Sequence, residues 1–183
     1  MDIHLTTERL VLHWLGPGDV DDLVELDSDP EVMRYLTNGK PTTRETVERT
    51  LYDGCDREAG YGRWAATEKA TGAFVGWFAL SRDAETPPDE GELGYRLRRD
   101  AWGKGYATEG SRAVLHKAFT ELGTRRVWAE TMFVNTRSRQ VMERVGLRFV
   151  RVFHLHFDDP IPGTEHGEVE YEILREEWEG GRP

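Results

Sequence analysis

The chain has 183 residues, of which 32% are charged and 38% hydrophobic, and its formal net charge is −10. This length and mixture predict one folded domain spanning residues 1–183 and exclude a disordered chain. The acidic balance argues against general binding to nucleic acid or to anionic membranes. No apolar run approaches the ~18–20 residues of a membrane span, and the start lacks a signal peptide's apolar stretch. Because the single cysteine, Cys55, cannot form an internal disulfide, we expect a cytoplasmic protein.

Hydrophobic periodicity and turn residues predict short strands and helices in the first half of the chain. In order, they are a strand at 9–15, a helix capped by Asp19, a short helical turn from Asp29-Pro30, a helix from the capping box Thr42 to Glu45 through about residue 58, a hairpin of 62–68 and 73–82, and a strand at 92–98. An acidic loop separates the hairpin from this last strand.

The second half alternates in the same way. The predicted elements are a helix from about 104–106 to Leu122, a strand at 125–133, a helix capped by Asn135 and ended by Gly146, and closing strands at 147–157 and 167–175. Neither an internal repeat nor a linker is evident. The order β-α-α-β-β-β-α-β-α-β-β therefore predicts a mixed α/β domain.

The stretch Asp100 to Gly110 reads DAWGKGYATEG and places three glycines at the start of a predicted helix. Each glycine inside a helix costs about 1 kcal/mol relative to alanine, so they require a reason. The first backbone N–H groups of a helix have no partner within it, and a phosphate placed there satisfies them. Residues 103, 105 and 107 therefore predict a pyrophosphate cradle with Lys104 nearby. The run matches neither a dinucleotide fingerprint nor a Walker loop.

A basic cluster lies beside this stretch. Arg96, Arg98, Arg99 and Lys104 fall within nine residues of an otherwise acidic chain. Two interpretations are equally favoured by charge alone: a phosphate site, or a solvated strand edge protected against aggregation.

Two motifs resemble those of the GNAT (Gcn5-related N-acetyltransferase) superfamily, and more closely its branch that acetylates ribosomal-protein N-termini. The first is Trp102 to Ala107, which resembles the acetyl-CoA motif Q/R-x-x-G-x-G/A with tryptophan in place of Gln/Arg. The second resembles N-x-x-S followed by E-[KR]-x-G-[FL]; its matching residues are Asn135, Ser138, Glu143, Arg144, Gly146 and Leu147. The resemblance implies a mixed, mostly antiparallel sheet of six to seven strands with splayed central strands and flanking helices.

The resemblance also implies an acetyl-CoA-dependent N-acetyltransferase and a set of cofactor contacts. The backbone amides expected to hold the CoA pyrophosphate are those of Gly103, Gly105, Tyr106, Ala107 and Thr108, beside Trp102 and Lys104. The strand around Tyr95 to Leu97 would pair its backbone with the pantetheine arm. Asn135 would bond the pantetheine from the far side, and Ser138 would lie near the sulfur.

Acyl transfer to an amine needs a base, and two glutamates are candidates. Glu130, five residues before Asn135, is the first choice; the alternative is that it faces solvent and pairs with Arg126. Glu92, at the start of its strand, is the second choice. Where many relatives carry a tyrosine as proton donor this chain has Met142, so Ser138 becomes the candidate for hydrogen-bonding the departing thiolate.

The acceptor is expected to be a primary amine, more readily a protein or peptide N-terminus than an antibiotic or polyamine. Tyr35, Trp64 and Trp77 are the candidate lining residues, although core packing is the alternative for at least half of the aromatic residues. A non-catalytic acyl-CoA-binding module is a second interpretation.

A metal site is a further interpretation, and it is disfavoured. It would use His154, His156, His166 and Glu168, which lack a recognisable zinc spacing, so we expect no metal. Sequence does not decide between a monomer and a homodimer.

Overall fold

The computed structural model of the chain describes residues 3–181, and eight strands in this range form one sheet. The strands are β1 (Ile3–Thr6), β2 (Leu10–Trp14), β3 (Gly62–Glu68), β4 (Phe74–Ser81), β5 (Glu90–Leu97), β6 (Arg126–Met132), β7 (Arg148–Phe153) and β8 (Glu168–Leu174). The helices are α1 (Val20–Leu26), α2 (Arg34–Thr37), α3 (Arg44–Arg49), α4 (Tyr106–Thr120), α5 (Thr136–Arg144) and α6 (Arg175–Gly180). No helix in the described range is long and apolar enough to cross a membrane.

The sheet order is β1-β2-β3-β4-β5-β6-β8-β7, and the described strands pair antiparallel except where β5 meets β6. That parallel ladder has three residue pairs, from Glu90 opposite Arg126 to Glu92 opposite Trp128. Beyond Glu92, β5 continues along β4 to Leu97, whereas β6 continues along β8. The two central strands therefore diverge and leave a gap, as the sequence resemblance predicted.

The two faces of the sheet carry different layers. The rear face packs against α4, where Val114 and Leu115 join the main core with Phe78 and Leu93. The front face of β3 and β4 is covered by α1 and α3 in a second core cluster. Because strand residues alternate between faces, Glu92 and Glu130 both lie on the front face, on either side of the gap.

The mixed α/β fold, the hairpin, the two main helices and the splayed strands were predicted correctly. The sheet has eight strands rather than six to seven, because β1, which was not predicted, adds a four-residue strand at the edge of the sheet. The helix predicted to reach residue 58 ends at Arg49, its cap is Thr43, and Gly54 then turns the chain with φ +67. The strand predicted for 147–157 ends at Phe153, and α6 was not predicted.

Candidate active site at the divergence of two strands

The loop before α4 presents a row of unsatisfied backbone donors. Within residues 3–181, none of the six consecutive amides from Gly103 to Thr108 donates a hydrogen bond. Gly103 and Gly105 have φ of +73 and +85, a conformation that side chains with a Cβ rarely adopt. A Cβ added at Gly103 would meet nothing within 4 Å, so the space beside this loop is open. The loop is thus a concave set of donors at a helix N-terminus, the environment that suits a phosphate.

Gly110 has a different purpose from the two loop glycines. A Cβ at this position would lie 2.2 Å from Cζ of Phe78 on the sheet beneath. Glycine is needed here because α4 packs closely on the sheet, and Gly110 takes no part in the row of free amides.

Arg9, to which the sequence assigned no role, holds the loop in place from the turn after β1. Its Nε donates to Glu109 Oε2 over 2.7 Å, and its Nη1 donates to the carbonyl oxygen of Lys104 over 2.9 Å. The guanidinium also lies 4.5 Å from the centroid of the Tyr106 ring. Thr7 also donates to Glu109 Oε1 over 2.6 Å. The segment between β1 and β2 is therefore hydrogen-bonded to the first turn of α4 through two residues, Thr7 and Arg9. With its carbonyl group turned toward Arg9, the loop leaves its amides facing outward.

The basic cluster that predicted a phosphate site is largely used elsewhere. Its three arginines form ion pairs with carboxylates on or just after α1: Arg96 with Asp27, Arg98 with Glu25 and Arg99 with Asp29. These pairs tie the end of β5 to the front-face helices. In the described chain Lys104 forms no ion pair, and neither does Arg137, whose guanidinium lies 5.0 Å from the Trp102 ring centroid.

The edge of β5 that faces the gap has backbone groups that pair with no neighbouring strand. Arg98 N donates to Val75 O, and by antiparallel alternation the backbone groups of Tyr95 and Leu97 then point away from β4, toward the gap. The Leu97 carbonyl accepts a hydrogen bond of 2.9 Å from the Trp102 indole. This edge is available for pairing with an extended ligand, and Trp102 fixes its end to the loop.

Asn135 and Ser138 lie on the other side of the gap, at the start of α5. The Asn135 side chain caps the helix by accepting from Ser138 N at 3.4 Å, and its Nδ2 donates to Thr131 Oγ1 at 3.0 Å. One N–H of this amide remains for a ligand. The Ser138 hydroxyl lies 3.0 Å from the Tyr95 hydroxyl, so β5 and α5 touch across the gap.

Glu92 is the last residue of β5 in the parallel ladder and lies where the gap opens. Burial, the Glu130 carboxylate and then Asp83 raise its pKa from 4.5 to about 7, against an opposing effect of Arg63. Its carboxylate has no hydrogen bond or ion pair within residues 3–181. A carboxyl group with this pKa can accept a proton near neutral pH, as a general base must.

Glu130 lies two residues beyond the ladder on β6, where its side chain is partly open to solvent and partly covered. The expected alternative, pairing with Arg126, does not occur: Arg126 contacts Glu90, Glu170 and Glu172 instead. Burial and the neighbouring Glu170 raise the pKa of Glu130 as well, and burial raises that of Glu168 on β8. Neither carboxylate has a partner in the described part of the chain. Glu92 and Glu130 thus face each other across the mouth of the gap.

The three aromatic residues predicted to line the acceptor site differ in position. Trp77 is half-buried on the front face, within 5.3–5.4 Å of Arg63 and Arg96 and close to Gly94 on the Glu92 strand. Trp64 is fully buried in the main core and stacks on Trp14, so the prediction that it lines the cleft is wrong. Tyr35 lies on α2 beside Arg34.

A surface groove of about 530 Å³ opens where β4 ends, and its lining residues are Gly54, Cys55, Asp56, Arg82, Asp83, Ala84, Thr86 and Pro88. Asp83 in this lining acts on the pKa of Glu92. The groove lies beside the end of β4 at which Ser81 pairs with Glu92. Within residues 3–181, no group of three or more His, Cys, Asp or Glu side chains has the geometry to hold a metal ion.

Comparison with known proteins agrees with this geometry. The pattern of the Acetyltransferase (GNAT) domain family matches residues 9–148. The chain is 41% identical to FsC-acetyl coenzyme A-N(2)-transacetylase of Aspergillus fumigatus, over 95% of this chain and 77% of that protein. It is 27% identical to YdaF of Bacillus subtilis, provisionally named a ribosomal N-acetyltransferase, over 94% and 95% of the two chains.

The fold agrees as well. A GNAT-family acetyltransferase from Bacillus anthracis superposes with a TM-score of 0.75 at 26% identity, covering 94% of this chain and 98% of that one. Members of this family use acetyl-CoA as the acetyl donor. The chain therefore belongs to the GNAT family of acetyl-CoA-dependent N-acetyltransferases.

Proposed function

We propose that this enzyme acetylates an amine of α-amino type, with Glu92 as the general base. The observation that carries the proposal is the position of Glu92, an unpaired carboxylate with a pKa near 7 at the point where β5 and β6 separate. The six free amides of the loop supply the donor side of the same gap.

The pKa of the base favours this class of amine. An α-amine has a pKa of about 7.7–8.0, so its proton can pass to a carboxylate of pKa near 7 at small cost. A lysine-type amine with a pKa near 10.4 would cost roughly 3–4 kcal/mol more before it could attack. The acceptor is therefore a weakly basic amine rather than an alkyl amine or a polyamine.

Two sources of such an amine remain, and each has one supporting observation. The 41% identity with a transacetylase that acts on N(2) of FsC favours a small-molecule acceptor. The lower identity with YdaF favours a protein N-terminus of the ribosomal type. We infer the small molecule, because the first similarity is the stronger over nearly the whole chain.

The proposed roles follow from the contacts. The amides of 103–108 and the side chains of Lys104 and Arg137 hold the CoA phosphates, and the free edge of β5 orients the pantetheine arm. The neutral amine attacks the thioester carbonyl, the carbon–sulfur bond breaks, and the amine proton passes to Glu92 directly or through water. Holding the two reactants together supplies several kcal/mol of the barrier.

Acceptor identity is tested by thiol release from acetyl-CoA with a panel of matched amines. The panel pairs α-amino compounds and short peptides of varied first residue with their Nα-blocked, ε-amino counterparts and with spermidine. We expect turnover with the α-amines at neutral pH and at least tenfold less with the alkyl amines. A preference for spermidine, or release with no acceptor at all, contradicts the proposal. Absence of acetyl transfer to every amine together with tight CoA binding would favour the non-catalytic module.

The role of the loop in binding the CoA diphosphate is tested with two glycine-to-alanine variants. Both substitutions place a Cβ on a residue with nearly the same positive φ, so they should introduce the same backbone strain. Gly72 has φ +71, and Gly103 has φ +73, and a Cβ at either position meets nothing within 4 Å. Both G72A and G103A should therefore lose similar stability, about 1–2 kcal/mol. Only G103A should weaken CoA binding, measured by calorimetry, since only Gly103 lies beside the free amides. Equal affinities in the two variants would place the diphosphate elsewhere.

A further inference from the structure

Arg63 is a partly buried arginine on the front face of the sheet that has no carboxylate partner. Its Nη1 donates to the carbonyl oxygen of Thr50 over 3.2 Å, and its guanidinium lies 5.4 Å from the Trp77 ring centroid. In the described part of the chain it makes no other hydrogen bond and no ion pair. Arg96, at 5.3 Å from the same ring, is by contrast paired with Asp27. The Arg63 guanidinium therefore keeps N–H donors for an oxygen of a ligand.

The strand register places Arg63 near Glu92. Arg63 pairs with Ala79 on β4, which pairs with Gly94 on β5, so these three residues form one row across the front face. Glu92 lies in the next row, two residues back along β5. Two strand spacings and two residues therefore separate the Cα atoms of Arg63 and Glu92, a distance of about 12 Å. Arg63 also opposes the rise in the pKa of Glu92, so its charge acts at that carboxylate.

The surface beside Glu92 has room for a small group. Gly94 is partly exposed, and a Cβ added there would lie 3.4 Å from the Trp77 ring, an ordinary van der Waals distance. Its φ is not positive, so neither backbone conformation nor packing requires glycine at this position. The missing side chain leaves the front face open between Glu92 and Trp77. A ligand whose amine reaches Glu92 can therefore extend across this surface toward Arg63.

We propose that Arg63 binds the carbonyl oxygen of an α-aminoacyl acceptor, in which the carbonyl carbon is attached to the carbon that bears the reacting amine. The inference rests on the proposed function, which places that amine at Glu92. The two recognition elements agree chemically, because a neutral ester or amide carbonyl at this position makes the amine weakly basic. The same carbonyl group thus matches the amine to its base and accepts a hydrogen bond from the guanidinium. Ester-linked small molecules and peptide N-termini share this group.

The variant R63Q tests the assignment, with R57Q as its matched control. Arg57 also donates to a backbone carbonyl oxygen, that of Leu15, and lies 5.2 Å from the Trp14 ring centroid, but Trp14 packs against the rear-face core. Like Arg63, it has no ion pair within residues 3–181. The acceptors are an α-aminoacyl ester, the amide of the same amino acid, and difluoroethylamine, a weakly basic amine without a carbonyl group. Thiol release from acetyl-CoA is measured for each.

The readout is the ratio of kcat/KM for the ester or amide to kcat/KM for difluoroethylamine. Loss of the Arg63 charge also shifts the pKa of Glu92, which affects all acceptors alike, so the ratio isolates the carbonyl contact. We expect this ratio to fall about 10–100-fold in R63Q, mainly through KM, and to stay unchanged in R57Q. R63K keeps the charge and loses the planar set of donors, so its ratio should lie between those of R63Q and the unaltered enzyme.

An unchanged ratio in R63Q overturns the inference, because an arginine that only supports the fold would affect all acceptors equally. If R63Q does not fold, the ratio in R63K decides. The faster of the ester and the amide identifies the source of the acceptor, an ester-linked small molecule or a peptide N-terminus. Failure of the unaltered enzyme to acetylate any α-aminoacyl compound refutes the proposed function itself, so the two failures are distinguishable.

Discussion

Two sets of three glutamates lie on the front face of the same strands, and they differ in one respect. Glu90, Glu170 and Glu172 all contact the guanidinium of Arg126. Glu92, Glu130 and Glu168 have no ion pair or hydrogen bond among the residues the structure describes. Glu90 and Glu92 are two residues apart on the same face of β5, so their position in the strand does not explain the difference. The difference is that the Arg126 guanidinium contacts Glu90 and does not contact Glu92. The first set stabilises the fold, and we propose that the second serves chemistry.

The largest expected effect comes from E92Q, with E90Q as its control. Glutamine keeps the size of Glu92 and removes the base, so kcat/KM should fall about 10²–10³-fold. The unaltered enzyme should lose activity as pH falls through about 7, where Glu92 becomes protonated, and this limb should be absent from E92Q. E90Q should keep the limb. A pH profile of E92Q identical to that of the parent removes Glu92 from the mechanism.

Next in size is the loss of the shared arginine. Arg126 has 20% of its side chain exposed and contacts three carboxylates, so R126Q removes three ion pairs at once. Each carboxylate keeps one further arginine partner, Arg125, Arg151 or Arg148, so we expect a cost of about 2–3 kcal/mol of unfolding free energy. The neighbouring Arg125 is 62% exposed, and R125Q should cost less than about 1 kcal/mol. Urea unfolding measures both. Equal costs would mean that the two glutamate sets do not differ in the way described.

A smaller effect concerns the pH dependence of stability that Glu92 itself contributes, which can be measured separately from activity. Its folded pKa of about 7 lies above the unfolded value near 4.5, so the native state binds this proton more tightly. The stability that Glu92 contributes is present below about pH 4.5 and is lost as pH rises to about 7. Relative to the parent, E92Q should therefore gain about 1–3 kcal/mol between pH 4 and pH 8, water contact reducing the full amount. Unfolding curves at the two pH values test this, and a constant difference contradicts it.

The smallest expected effect is that of E130Q, and it sharpens the distinction within the second set. Burial is the main cause of the raised pKa of Glu92, and the Glu130 charge comes second. Removing that charge should move the acidic limb of the pH profile down by up to about one unit and change kcat less than fivefold. A 100-fold loss in E130Q together with loss of the acidic limb would instead make Glu130 the base, as the sequence first predicted.

The sequence was informative where function depends on the backbone. The glycines at 103 and 105, the helix that follows and the cap at Asn135 are all local, and a local pattern predicts them. The splayed strands followed from the family resemblance. Gly110 shows where this reasoning stops, since its glycine is required by Phe78, 32 residues away, and not by the ligand.

Side-chain partners were not predictable in the same way. Arg126 meets Glu170 on a strand 44 residues later, and the Tyr95 hydroxyl meets Ser138 on a helix 43 residues later. Neither spacing has a periodicity that a reader of the sequence can use. Trp64 shows the same limit, because an aromatic residue on a strand points to the core or to the cleft according to the register alone.

The short ladder between β5 and β6 has one further consequence. Three residue pairs are the only strand pairing in the described chain that joins β1–β5 to β6, β8 and β7. In the proposed binding mode a pantetheine arm lies along β5 and adds backbone pairing beside this short ladder. The bound donor would therefore help to hold the two parts of the sheet together. Release of CoA after each turnover would then remove that pairing and leave only the three-residue ladder between β5 and β6.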